Sequence, residues 1–325
     1  MNDNSGLCFK RPVAPAPPID CRFMTPSTDL STPIAGVSLT HYLEQATERL
    51  AQSGVHFGHG TNNAHDEAAW LVLWGLGLPL DTDTTEHTTA LTPEQCQRLD
   101  ALITERITTR RPAAYITQEA WLQGVSFYVD ERCIVPRSFI AELIAEGTLD
   151  LWLSERTERV LDLCTGNGSL AVLAALAWPE VHVTGADLST EALAVAAING
   201  ERHGLAQRIT WCESNVWSGC PGPWDLVLCN PPYVNSQSMA ELPAEFRAEP
   251  ELALAGGHDG MDFVRQLLAA APQHLSAHGV LVLEIGFERQ HFEAAFPNLE
   301  PVWLSTSAGD DQVLLLTADA LGVRA

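Results

Sequence analysis

From residue 159 onward the chain repeats one pattern, short runs of aliphatic and β-branched residues separated mostly by helical stretches. Candidate strands are 159–163, 181–186, 208–212, 224–229, 279–285 and 312–317; candidate helices are 139–149, 169–177, 191–203 and 261–275. Such alternation implies an α/β fold, a mostly parallel sheet with helices on both faces, and it directs attention to the carboxyl ends of the strands, where ligands bind in folds of this kind.

The part before this pattern is different. Residues 1–36 are rich in Pro, Ser, Thr and Asp and read as a disordered leader, within which Met24 is an alternative start. From Ser38 the residues Leu39, Tyr42, Leu43, Ala46 and Leu50 form one helical stripe that Gly54 stops. A second helix is expected over 64–76. A third follows Thr92-Pro93-Glu94-Gln95, where Thr92 caps, Pro93 suits the first turn and Gln95 reaches back. These helices make a small domain at 37–113. The stretch 114–136, aromatic and β-branched with Gly124 at the turn, reads as a β-hairpin linker, and 137–325 as the catalytic domain.

The first strand runs into DLCTGNGSLA. Gly166 and Gly168 permit a tight turn and close backbone approach to a ligand at a helix N-terminus. The second strand ends at Asp187, nineteen residues past Gly168, near the spacing at which an acid receives ribose hydroxyls. A carboxylate there suits a nicotinamide cofactor or S-adenosylmethionine, and Asp187 also qualifies as a helix cap. With Ala171 at the third glycine position, the pattern mildly favours the methyl donor. The third strand delivers Asn215 to the same edge, as an adenine contact or an ordinary loop residue.

The fourth strand stops at Asn230-Pro231-Pro232-Tyr233. Asn230 offers an acceptor and a donor, the prolines lack N–H groups and fix φ, leaving the Pro231 carbonyl free, and Tyr233 supplies a flat face. Two aligned acceptors and a wall suit a planar amide or amino-purine NH2, a poor nucleophile whose developing positive charge they stabilise; positioning and electrostatics then carry the catalysis. A rigid turn is the plainer alternative.

Charge narrows the partner. Against 18 basic residues stand 41 acidic ones, a net charge of −23, which repels nucleic-acid phosphates and attracts a basic protein. The eight cysteines show no CxxC and read as free thiols in a reducing cytosol. No run approaches the ~18 apolar residues of a membrane span, so the expectation is a soluble, cytoplasmic protein. His56, His59 and His65 cluster without a nearby Cys, and no metal site is expected.

NPPY after such a sheet resembles the amino-methyltransferases. The neighbouring stretches AYITQEAWLQGVSFYVDERCIVPRSFIAELI, VLDLCTGNGSLA, NPPYVNSQSMAELPAEFRAEPELALAGGHDGMDFV and HFGHGTNNAHDEA narrow the resemblance, over roughly residues 38–317, to the bacterial ribosomal-protein glutamine methyltransferases that act on large-subunit protein L-three. The release-factor glutamine methyltransferases share NPPY but differ in the glycine turn and linker; DNA adenine methylases and a non-enzymatic, cofactor-binding ribosome assembly factor are more distant alternatives. Asn167 in place of the commoner serine, and the leader, depart from the family pattern.

The resemblance implies a Rossmann-like S-adenosylmethionine-dependent methyltransferase. Gly166 and Gly168 would flank the methionine part of the cofactor, Asp187 would hold its ribose, and Asn215 and Val216 would lie by adenine. Asp162, Leu188 and Asn230 complete the expected cofactor set. Asn230, Pro231, Pro232 and Tyr233 would bind the glutamine amide, with Asn230, Pro231 and Tyr233 as the catalytic group. Glu249-Pro250-Glu251 reads as a structural and substrate-wall element whose acidity helps dock a basic protein, or as a solvated loop.

Overall fold

Helix α1 (Leu39–Gln52) begins where the Ser38 side chain accepts the His41 N–H, and buries Leu39, Tyr42, Leu43, Ala46 and Leu50. The structure is a computed structural model and describes residues 37–85 and 90–323. The leader, with Met24, lies outside the described residues. Helix α2 (Ala64–Leu76) is capped by Asn63 and closed by left-handed Gly77. Helix α3 (Pro93–Thr109) carries the capping box: Thr92 Oγ1 accepts the Gln95 N–H and Gln95 Oε1 accepts the Thr92 N–H.

The next segment differs from the hairpin expected over 114–136. A short helix α4 (Ala113–Thr117) comes first, and strands β1 (Ala120–Leu122) and β2 (Val125–Phe127) then pair antiparallel about Gly124. The remainder of the linker runs without a strand to α5 (Ile140–Ala145). The helix expected over 139–149 is split, because Gly147 turns left-handed (φ 70°) and a 3-10 turn, Thr148–Trp152, follows.

The α/β portion continues with β3 (Arg159–Leu163), α6 (Ser169–Ala177), β4 (His182–Asp187), α7 (Thr190–Arg202), β5 (Ile209–Glu213) and β6 (Trp224–Cys229). It ends with α8 (Ser236–Glu241), α9 (Asp262–His274), β7 (Leu275–Glu284), α10 (Arg289–Ala295), β8 (Val302–Thr306) and β9 (Gly309–Thr317). Strand β8 is not among those expected from sequence; its five residues alternate about a single buried Leu304 at the sheet edge. Strand order is β5-β4-β3-β6-β7-β9-β8. The five strands from β5 to β7 are parallel; β9 runs antiparallel to both β7 and β8.

All six residues of β6 are buried, as a central strand covered on both faces requires. Leu226 and Leu228 join Val160 and Leu170 on one side of the sheet; Val227 and Cys229 join Leu161, Met261 and Phe292 on the other. A third cluster unites α1–α3 with Val129 and Val135 of the linker and Val195 of α7, so residues on both sides of the hairpin share one core. The six described cysteines, Cys96, Cys133, Cys164, Cys212, Cys220 and Cys229, are free thiols; Cys133, Cys220 and Cys229 are buried. No described helix is long and apolar enough to cross a membrane.

Candidate active site

Sheet register brings the candidate residues to one level. Glu213 pairs with Asp187, Ala186 with Leu163, Leu163 with Cys229, and Cys229 with Leu283. One step beyond, Asp187, Cys164, Asn230 and Glu284 stand side by side at the carboxyl ends of β4, β3, β6 and β7. The chain reverses its direction of travel across the sheet between β3 and β6, the switch point at which ligands bind in folds of this kind. Two non-glycine residues hold positive φ here, Cys164 (61°) and Val216 (51°). Such strain, unfavourable above all for a β-branched residue, gathers at functional sites.

The two glycines of the turn after β3 do different work. An added Cβ at Gly166 would meet nothing within 4 Å, so its left-handed backbone faces open space. At Gly168 the same atom would lie 2.8 Å from the Trp211 ring and 3.1 Å from the Ala196 backbone, so this glycine serves helix packing. Asp187 reaches under the turn: Oδ2 accepts the Gly166 N–H (2.9 Å) and Oδ1 the Ser189 N–H (2.9 Å). Burial raises its carboxyl, and backbone donors from Ser189, Gly166 and Leu188 oppose that. Ser189, not Asp187, caps α7 by accepting the Ala192 N–H.

Asp162 does not line the crevice. It is 0% exposed, its Oδ2 accepting Thr165 Oγ1–H (2.5 Å) and the Ala171 N–H (2.9 Å). Burial pushes its carboxyl up to about 7, and its role is to hold the turn from beneath. Leu188 is 48% exposed at the rim. Asn215 is exposed as well, whereas Val216 is buried in the core with Trp217. Asn167, the departure from the family pattern, is buried; its Oδ1 accepts the Ser169 N–H and its carbonyl accepts Asn199 Nδ2–H. Its Nδ2 is a buried donor with no partner among the described residues. Open backbone at Gly166, the accepting Asp187 carboxylate, an apolar rim at exposed Leu188 and the amide of exposed Asn215 lie along one edge and fit a nucleoside carrying a sulfonium group.

At the other side of the switch, among the described residues, no hydrogen bond engages the Asn230 side chain or the Pro231 carbonyl. Pro231 is buried, while Asn230, Pro232 and Tyr233 are half-buried. After the prolines the chain is pinned, Val234 N–H donating to the Leu254 carbonyl and Gly256 N–H to the Val234 carbonyl. The Tyr233 ring lies over Gly286, where an added Cβ would come within 2.6 Å of it. The corner is therefore rigid on both flanks with its acceptors unspent, an arrangement suited to a primary amide.

The acidic stretch ELPAEFRAEPELAL contains residues expected to form a structural and substrate-wall element or a solvated loop. Glu249 is only 4% exposed. Arg137 grips it bidentately (2.6 and 2.7 Å), the Val135 N–H donates to Oε1 (2.9 Å), and His59 Nε2 lies 3.4 Å from Oε2. Against the penalty of burial, Arg137 and His59 hold its carboxyl down to about 2. Glu245, also buried, accepts from Arg110 (2.7 Å), Arg106 (3.2 Å) and the His56 N–H (2.9 Å); Arg106 in turn pairs with buried Glu67. Phe246 packs between them against both His56 and His59. These carboxylates are spent on the helical segment and linker, which corrects the docking role expected of Glu249; within 249–251 only Glu251 is exposed. The histidines form no metal-ligand cluster among the described residues. Arginines of the right count were visible in the sequence, but nothing local announced their partners.

Comparison with known proteins bears on the whole arrangement. Residues 147–258 match the methyltransferase small domain and residues 41–117 the PrmC N-terminal domain. A ribosomal protein uL3 glutamine methyltransferase of Bordetella pertussis is 53% identical over 287 residues, covering 87% of this chain and 96% of that protein. Proteins of the same name from Burkholderia pseudomallei and Neisseria meningitidis serogroup B are 50% and 45% identical, covering 86% of this chain and 94% and 92% of their own. Among solved structures, a human methyltransferase 10 domain containing protein is similar over 60% of this chain and 90% of that chain, at TM-score 0.42 and 14% identity.

Proposed function

The chain belongs to the ribosomal protein uL3 glutamine methyltransferase family, and we propose that it transfers a methyl group from S-adenosylmethionine to the side-chain amide nitrogen of a glutamine in ribosomal protein uL3. The observation that carries this reading is the corner at Asn230 and Pro231, two unspent acceptors held rigid at the level of Asp187 and beside the open Gly166 turn. Gly166, Asp187, Leu188 and Asn215 would hold the cofactor, which when bound supplies an electrophilic methyl on a cationic sulfur.

The rest of the chemistry belongs to the protein's own residues. Asn230 Oδ1 and the Pro231 carbonyl accept the two N–H bonds of the substrate amide. That contact strengthens as the nitrogen becomes positive and turns its lone pair toward the donor side of the crevice; one of the two amide protons then leaves to water, so the methylated amide ends neutral. Tyr233 walls the amide plane, and Pro231 and Pro232 spare the corner any competing N–H donor. The helical segment 37–113 is the proposed substrate-recognition region and 137–325 the catalytic one. The chain's net charge of −23 supports a basic protein partner over a nucleic acid, and a cytoplasmic place of action fits that partner.

Incubation with labelled S-adenosylmethionine and, separately, purified uL3, release factor and DNA tests the reading. Label on a glutamine of uL3, located by mass spectrometry, is the expected result. Label on release factor alone would overturn the choice of substrate.

A further inference from the structure

Strand β7 ends in an acid where its neighbours are Leu283 and Ile285. Glu284 is 1% exposed, and since Leu283 pairs with Cys229 it stands beside Asn230. Its two oxygens have separate partners. Oε2 accepts Ser138 Oγ–H (2.6 Å) and the Phe139 N–H (2.9 Å), serving the start of α5; Oε1 faces the Tyr233 hydroxyl at 3.4 Å. Securing the helix start needs only one acceptor. A buried carboxyl is costly, and burial pushes this one up to about 7 although Ser138 and Phe139 donate to it.

The surroundings of Tyr233 show what the second oxygen completes. Gly286 lies under the ring, and at Gly260 an added Cβ would fall 2.3 Å from the Tyr233 carbonyl, so the backbone and ring face are confined by close packing. Packing sets the plane of the ring, and at its hydroxyl end stands Glu284 Oε1, an acceptor fixed at the end of β7.

We propose that Glu284 is a positioning residue for methyl transfer, which holds the hydroxyl end of Tyr233 in register with Asn230 and ties that register to the linker at Ser138. The proposal rests on the amide-binding role given above to Asn230 and Tyr233.

The test is a double-mutant cycle of Glu284→Gln and Tyr233→Phe in the full chain. Glutamine keeps one carbonyl oxygen for Ser138 and Phe139 but turns an NH2 group toward Tyr233. Each single change is expected to lower kcat ~10-fold, with KM for S-adenosylmethionine unchanged, and the double variant to be no slower than Tyr233→Phe alone. Wild-type kcat in Glu284→Gln, or losses that multiply to ~100-fold in the double variant, would overturn the proposal. Urea unfolding of the same four proteins gives a readout that needs no substrate: a non-zero coupling supports the contact, and strict additivity overturns it. If the wild type fails to methylate uL3, the substrate assignment falls while that second cycle still decides the role of Glu284.

Discussion

Glu249 offers the sharpest test of how this molecule is held together. Its carboxylate is buried, bidentate to Arg137 and joined to the Val135 N–H, and its pKa is held at about 2 against an ordinary 4.5. At about 1.4 kcal/mol for each pH unit, the gap corresponds to about 3 kcal/mol of stability. The folded pKa is depressed, so this contribution is complete above pH 4.5 and declines as pH falls toward 2. About half of it is left at pH 3 by the same linkage. Glu249→Gln preserves shape and removes charge, so urea denaturation followed by tryptophan fluorescence should show it less stable than wild type by about 3 kcal/mol at pH 7, with the difference halved at pH 3. Glu249→Ala also strands the Arg137 guanidinium and the Val135 N–H and should cost ~3–5 kcal/mol at pH 7. A Glu249→Gln difference below ~1 kcal/mol at pH 7, or one that does not change with pH, would refute the claim that this ion pair secures the linker.

Asn230→Ala should leave S-adenosylmethionine affinity by calorimetry at its wild-type value while reducing turnover by ~10²-fold; unchanged turnover would remove Asn230 from the amide site. Asp187→Ala should act chiefly on cofactor binding, and a wild-type dissociation constant would exclude it. The two turn glycines should separate: Gly168→Ala drives a methyl into Trp211 and the Ala196 backbone and should destabilise the fold by ~1–3 kcal/mol. Gly166→Ala meets open space in the protein, so it should weaken cofactor binding more than it lowers the unfolding midpoint.

The parts of this protein written in short-range order were legible without a structure. Strands β3 and β6, helices α2 and α6, and the Thr92 capping box depend on neighbours within a few residues, where periodicity and cap chemistry act. Asn230, Pro231, Gly166 and Asp187 were legible as candidates because each stands at or just past the end of a strand, and a parallel sheet gathers such ends at one edge. Strand β8 escaped notice because five residues with one buried position, Leu304, at a sheet edge give little signal.

What only the tertiary structure decided is which buried polar groups meet. Glu245 and Arg106 are 139 residues apart, Glu249 and Arg137 112, and Glu284 and Ser138 146. In sequence, nothing in the acidic run around Glu245 and Glu249 names the arginines that meet it, and Asp162 reads as a cofactor ligand although it is buried beneath the turn. An ionised side chain enters the interior only where a partner compensates its lost hydration, and that partner is chosen by the folding of the whole chain, not by its neighbours along it.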